Sequence, residues 1–199
     1  MISTKEKILD TVLGSETKAR VLRFLLRHPS KAFKLGEIAR IINQNYNTTA
    51  SFIDDLECVG IIQKSSTKDS ASAIYGINSN FRNYEELRDF CLKTFPVSTE
   101  ILIKDLKEAG KIRLAILQGV FLNQGAVNID FFVVADDMED KKFEKVVKGL
   151  EADVGQELNY TLMNTSEFTY RYNIYDRFVR NILKRKHITI IDDLKLQAN

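Results

Sequence analysis

The sequence predicts a two-part α+β chain: a helical unit closed by a β-hairpin, then a small mixed α/β sheet. Three observations predict it. Residues 15–60 carry three apolar stripes at helical spacing, each ended by a breaker. Residues 61–77 set two apolar segments around a polar stretch rich in Ser, Lys and Asp, the pattern of a hairpin with a long tip. Beyond residue 97 helical and strand patterns alternate, as they do where helices cover a sheet.

The elements follow in order. "SETKARVLRFLLRH" begins at Ser15, a good N-cap, turns Val21, Leu22, Leu25 and Leu26 inward, and is stopped by Pro29. His28 sits at its end, where a positive charge suits the helix dipole. "KLGEIARII" is a second helix with Leu35, Ile38, Ala39 and Ile42 inward, and "NQNYN" is a turn. "NTTASFIDDLECVG" is a third helix, with Ala50, Ile53 and Leu56 inward and Gly60 as its stop. Three helices followed by such a hairpin describe a winged helix-turn-helix.

"FRNYEELRDFCLKTF", residues 81–95, is a connecting helix with Tyr84, Leu87, Phe90, Cys91 and Phe95 along one stripe. Two readings of that stripe stand side by side: packing on its own domain, and a seam between two copies of the chain. In the second half the pattern gives a helix at "TEILIKDLKEAG" and a strand at "IRLAIL". The turn "QGVFLNQGAVN" and the strand "IDFFVVA" follow, then a helix at "DKKFEKVVKGLEADVG" and a strand at "ELNYTLMN". One long helix, "SEFTYRYNIYDRFVRNILKRK", and a closing strand, "HITIID", complete it. The expected division is a winged helix over 1–80, a linker helix over 81–97 and a second domain over 98–199.

Composition narrows the function classes. The 199 residues suffice for two modest cores, and 44% apolar with 28% charged residues is the balance of a soluble globular chain. A net charge of +2 means that any nucleic-acid binding depends on a local patch. No apolar run approaches the roughly 20 residues that span a bilayer, and "MISTKEKILD" lacks an apolar signal core, so a cytoplasmic protein without a membrane partner is expected. Cys58 and Cys91 read as reduced core thiols. With His28 and His187 they lack the close paired spacing of zinc sites, and no metal or other cofactor is expected.

A winged helix lays its third helix in the major groove and its hairpin along the backbone. The outward positions at the start of that helix are Tyr46, Asn47, Thr48 and Ser51, and Asn, Thr and Ser have the hydrogen-bonding groups that read base edges. Lys31, Lys34 and Arg40 lie on or beside the second helix, and Lys64 and Lys68 lie on the hairpin, where cations neutralise phosphates. Against this stand Asp54, Asp55 and Glu57 on a third helix that has no Lys or Arg. If Asp55 faces a duplex, it weakens binding. The C-terminal "RFVRNILKRK" has two readings, a solvated helix face and a second contact for a nucleic acid or an acidic partner.

Residues 14–64, from "GSETKARV" to "CVGIIQK", resemble the winged helix of prokaryotic ArsR- or MarR-like transcriptional regulators. In one prokaryotic group that domain is followed by a linker helix and a nucleotidyltransferase-like domain, which residues 78–95 ("NSNFRNYEELRDFCLKTF") and 98–191 resemble in turn. Active members of that superfamily carry Gly-Ser after the first strand, Asp-x-Asp on the second and a further carboxylate later. Alternate strand residues share a face, so the two Asp converge on Mg²⁺. The matching residues here are Gly119, Val120, Asn128, Asp130 and Asn159. Only Gly119 and Asp130 keep the motif, so the resemblance implies a degenerate, vestigial nucleotide site. Asp130 also reads as an ordinary strand-start acid, and Asp136 and Asp137 as caps of the next helix or solvated acids.

The expected function is a regulator that binds double-stranded DNA. Its second domain is inactive and serves a protein or nucleotide effector, or a homodimer formed through the linker helix. The alternatives are a nucleotidyltransferase that uses the winged helix as substrate adaptor, and a protein-interaction module.

Overall fold

The computed structural model describes residues 7–67, 70–124 and 128–195. They divide into two compact units, a helical unit of residues 7–97 with 148–157 and a sheet unit of residues 98–147 with 158–195.

The helical unit starts with α1 (Ile8–Leu13), which the apolar pattern did not predict; Leu9 is its buried anchor and Gly14, at φ 65°, turns the chain out of it. In α2 (Glu16–Arg27) Ser15 is the N-cap as expected, its hydroxyl accepting from the Lys18 N–H at 3.3 Å. Val21, Leu22, Leu25 and Leu26 are all buried. The helix ends at His28, whose Nδ1 lies 2.8 Å from the Phe24 carbonyl oxygen and whose ring packs on Phe24 and Phe33. A two-residue strand, β1 (Phe33–Lys34), precedes α3 (Leu35–Ile41). Asn43, at φ 52°, makes the turn into α4 (Tyr46–Cys58).

The hairpin is β2 (Ile62–Thr67) and β3 (Ser70–Ile77), in a sheet of order β1-β3-β2. Its polar stretch is not a long loop. Ser65 pairs with Ile74, Ser66 with Ala73 and Thr67 with Ser70, so the ladder runs almost to the tip. Ser and Thr keep extended backbone where both faces of a hairpin meet water, and apolarity alone underestimates such a strand. Asn78 ties the hairpin to α4, donating from Nδ2 to the Gly60 carbonyl at 2.8 Å.

The connecting helix, α5 (Tyr84–Lys93), packs within this unit. Cys91 is fully buried, and Tyr84, Leu87 and Leu92 pack against the same core as α2 and α4. Of the predicted stripe Phe90 is the large side chain left exposed, which removes most of the seam proposed for a homodimer. Cys58, by contrast, is exposed and not a core thiol, because it follows Ser51 and Asp55 on the outer stripe of α4.

The sheet unit contains α6 (Thr99–Ala109), β4 (Lys111–Leu117), a single 3-10 turn (Gly119–Leu122) and β5 (Phe131–Asp136). Then come α7 (Asp140–Val154), β6 (Tyr160–Met163), α8 (Thr165–Asn173), α9 (Arg177–Lys184) and β7 (Ile188–Asp192). The strand order is β6-β5-β4-β7, with β5 and β6 parallel and the other neighbours antiparallel. Alternation along the strands gives each face its own core. Leu114, Ile116, Phe132 and Val134 meet Phe168, Val179 and Ile182 of α8 and α9, while Phe131 on the other face stacks with Phe143 of α7.

The single long helix expected over 166–186 is two. Tyr175 adopts φ 56°, and Asp176 starts α9 by accepting the N–H groups of Phe178 and Val179 at 3.1 and 3.2 Å. From Lys148 onward α7 belongs to the helical unit. There Asp153 accepts from Arg20 Nε at 2.8 Å and from Lys7 Nζ at 2.9 Å. Arg23 donates to the carbonyl oxygens of Cys91 and Thr94, and Arg27 donates to that of Val154 at 2.6 Å. Burial opposes the charge on Lys7, but Asp153 and Glu16 outweigh it and hold its pKa above the ordinary lysine value.

Candidate functional site

The first candidate site is the outer face of α4. Asn45 caps the helix, its side-chain oxygen accepting the Asn47 N–H at 2.8 Å, and the Thr49 hydroxyl donates back to the Asn45 carbonyl at 2.9 Å. Thr49, Ile53 and Leu56 face the core. The opposite stripe, at spacings of three and four, is Thr48, Ser51, Asp55 and Cys58, all exposed. Asn47 is exposed beside it, and Tyr46 is 55% exposed at the first helical position. The first turn has no acid, so the positive end of the helix dipole is uncancelled there.

The basic residues beside it are just as open. Lys31, Lys34, Arg40 and Lys64 are exposed, and among the described residues none makes an ion pair. Lys64 Nζ lies 5.8 Å from the centre of the Tyr75 ring, which holds its stem against the hairpin. The Lys34 backbone N–H, not its ammonium, bonds to Glu37 at 2.8 Å. Lys68 lies outside the described residues. Asp55 does share the outward stripe with Ser51, about 6 Å further along the axis, but its carboxylate turns to Lys18 Nζ at 3.3 Å. A neutral, hydrogen-bonding N-terminal half of α4 thus precedes an acidic C-terminal half, in which Asp55 is paired to Lys18 while exposed Asp54 makes no ion pair among the described residues.

The second candidate is the end of β4. The structure gathers Gly119, Val120, Asp130 and Asn159 there and leaves Asn128 exposed. Gly119 has φ 58°, a conformation that favours glycine. Asp130 is 4% exposed. Its Oδ1 accepts the Val120 N–H at 2.9 Å and its Oδ2 the Asn159 N–H at 3.1 Å. The backbone reinforces this: the Gln118 N–H donates to the Asp130 carbonyl at 2.9 Å, and the Asp130 N–H to that of Asn159 at 2.6 Å. The Asp130 carboxylate is therefore a buried clasp joining the starts of β5 and β6 to the turn after β4, a strand-start acid that holds backbone amides and does not face water.

Mg²⁺ demands several anionic oxygens in near-octahedral array, and these residues do not fit it. Both Asp130 oxygens already accept amide protons, and Asn128 and Asn159 carry no charge. Asp136 is also committed. It accepts from the Thr165 hydroxyl at 2.7 Å and its N–H at 3.1 Å, bonds that hold its pKa below the usual carboxylate value. It caps α8 rather than the next helix, while Asp137 is exposed.

No family profile and no curated protein matches this sequence. Among solved structures, that of a point mutant of S. aureus MepR bound to an oligodeoxyribonucleotide is similar at 14% identity and a TM-score of 0.36. The likeness covers 42% of this chain and 62% of that one. A TM-score of that size carries neither fold nor function to this chain.

Proposed function

We propose that this chain is a regulator that binds duplex DNA through a winged helix. The observation that carries this reading is the open N-terminal half of α4, with Tyr46, Asn47, Thr48 and Ser51 exposed beside Lys31, Lys34, Arg40 and Lys64, which make no ion pair among the described residues. Asparagine matches the donor–acceptor pair of adenine, threonine offers its methyl group to thymine, and the flanking cations suit phosphates. Asp55, paired to Lys18, adds little repulsion at the far end of the helix.

We also propose that the sheet unit is nucleotidyltransferase-like in ancestry but transfers no nucleotide, and serves as a binding module for an effector or partner protein. An antiparallel β4–β5 pair followed by a parallel β6 and the glycine turn at Gly119 support the ancestry. The commitment of Asp130 to two amides supports the loss of activity.

Genomic fragments captured on the protein across a salt series test the first proposal. The expected result is recovery of discrete duplexes whose retention falls steeply with salt; retention without sequence preference, or indifferent to salt, contradicts it. Incubation with Mg²⁺ and labelled ATP tests the second. Label on protein or RNA that disappears in Asp130→Ala contradicts it.

A further inference from the structure

The break between α8 and α9 is an unusual place for a tyrosine. The Asp176 N–H donates to the Arg171 carbonyl at 2.9 Å and the Tyr175 N–H to that of Tyr172 at 3.1 Å, the bonding of a helix C-terminus closed by a left-handed residue. Glycine or asparagine ordinarily fills that position, because a bulky side chain is disfavoured there. Tyr175 fills it at φ 56° and gains no burial in return, since it is 75% exposed. Exposed Tyr170 and Tyr172 precede it on α8.

Directly after this turn comes an unpaired run of cations. Arg177, Arg180 and Lys184 follow one another at spacings of three and four along the outer face of α9, opposite buried Val179 and Ile182. Arg185 and Lys186 extend the run, all five are exposed, and among the described residues none makes an ion pair. Arg171 is different: it is held by Glu167 at 2.8 Å and lies 3.8 Å from Asp176. Within α9 itself there is no acid.

We infer that this segment binds single-stranded nucleic acid, with the phosphates along Arg177, Arg180 and Lys184 and a base stacked on Tyr175. An exposed aromatic ring beside a track of unpaired cations is the combination that holds an unpaired strand, since the cations follow the backbone and the ring takes the face of any base. An acidic peptide would use the cations and leave the tyrosine without a role. Unpaired DNA and RNA share this chemistry, and paired deoxy and ribo probes distinguish them.

The test uses the full chain and fluorescent oligothymidylate and oligouridylate of about 20 nucleotides, read by anisotropy across a salt series. Replacing Arg177, Arg180 and Lys184 together by Gln should lower the salt slope by about 2, at roughly 0.7 per lost phosphate contact. Tyr175→Ala should weaken binding at least about fivefold with the slope unchanged, and Tyr175→Phe should restore it. Asn47→Ala, on the helical unit, should leave single-strand binding intact, which separates this inference from the duplex reading. The tighter of the two oligonucleotides identifies the natural strand. Full binding by Tyr175→Ala overturns the inference. So does displacement by polyglutamate or by duplex DNA as effective, per charge, as by the single strand. Thermal melts of the exposed-site variants should match the parent chain.

Discussion

At Asp130 one carboxylate carries two incompatible readings, a metal ligand and a backbone clasp, and its hydrogen bonds separate them. Both oxygens receive amide protons from chain segments that meet at the end of β4. The sequence shows the acid and its place before a strand, but the donors, ten and 29 residues away, emerge only when β4, β5 and β6 align. Asp130→Asn turns an amide donor toward a backbone donor, and should lower stability by about 1–3 kcal/mol in denaturant unfolding. A variant as stable as the parent would show that the clasp is unimportant. The thiols give a second prediction at this scale. Burial pushes the Cys91 thiol up to about 11, while Cys58 is exposed on α4. A thiol-specific chromogenic reagent at neutral pH should therefore titrate one group in the native protein and two after denaturation. Two groups reacting at once would contradict the burial of Cys91.

At the scale of elements, strongly periodic helices were legible and interruptions were not. Apolar spacing located α2, α3 and α4 because each turns one stripe into the core, but β1 is two residues long and has no period to read. The break at Tyr175 was hidden because the amphipathic pattern continues through it; the available signal was Asp176, a good N-cap just before Arg177. The end of α7 was illegible in principle. Arg20, Arg23 and Arg27 read as ordinary helix charges, yet their partners Asp153 and Val154 lie about 130 residues downstream. Asp153→Ala removes one of the two carboxylates that Arg20 and Lys7 share, leaving them Glu16, and should cost about 1.5–3 kcal/mol, read as a lowered melting temperature. Gly155→Ala should also destabilise, by more than the roughly 1–2 kcal/mol of a left-handed backbone. The residue has φ 82°, and a β-carbon there would meet the Phe24 nitrogen at 2.7 Å. Unchanged melting in both variants would mean that the last turns of α7 do not hold to α2.

For the whole molecule, near-neutral charge makes the arrangement of cations more informative than their number. The net +2 is spread over 29 basic and 27 acidic residues, so affinity for a polyanion must arise where cations stay unpaired. One such place adjoins α4 and another lies along α9, and neither was visible from composition. Exposed Asn47, Thr48 and Ser51 were legible in the sequence because Ile53 and Leu56 define the opposite face. The pairing of Asp55 with Lys18, which offsets one of the acids on that surface, needed the packing of α4 on α2.

The most direct measurement is the affinity of the full chain for a duplex recovered from its own genome, taken across a salt series for the parent and for Asn47→Ala with Ser51→Ala. If Lys31, Lys34, Arg40 and Lys64 each meet one phosphate, the logarithm of the binding constant falls against the logarithm of salt with a slope of about −4. The double variant should bind roughly 1–3 kcal/mol more weakly with that slope unchanged, because it loses base contacts and keeps the phosphate contacts. A flat salt dependence, or a double variant that binds like the parent, would contradict recognition of DNA through α4.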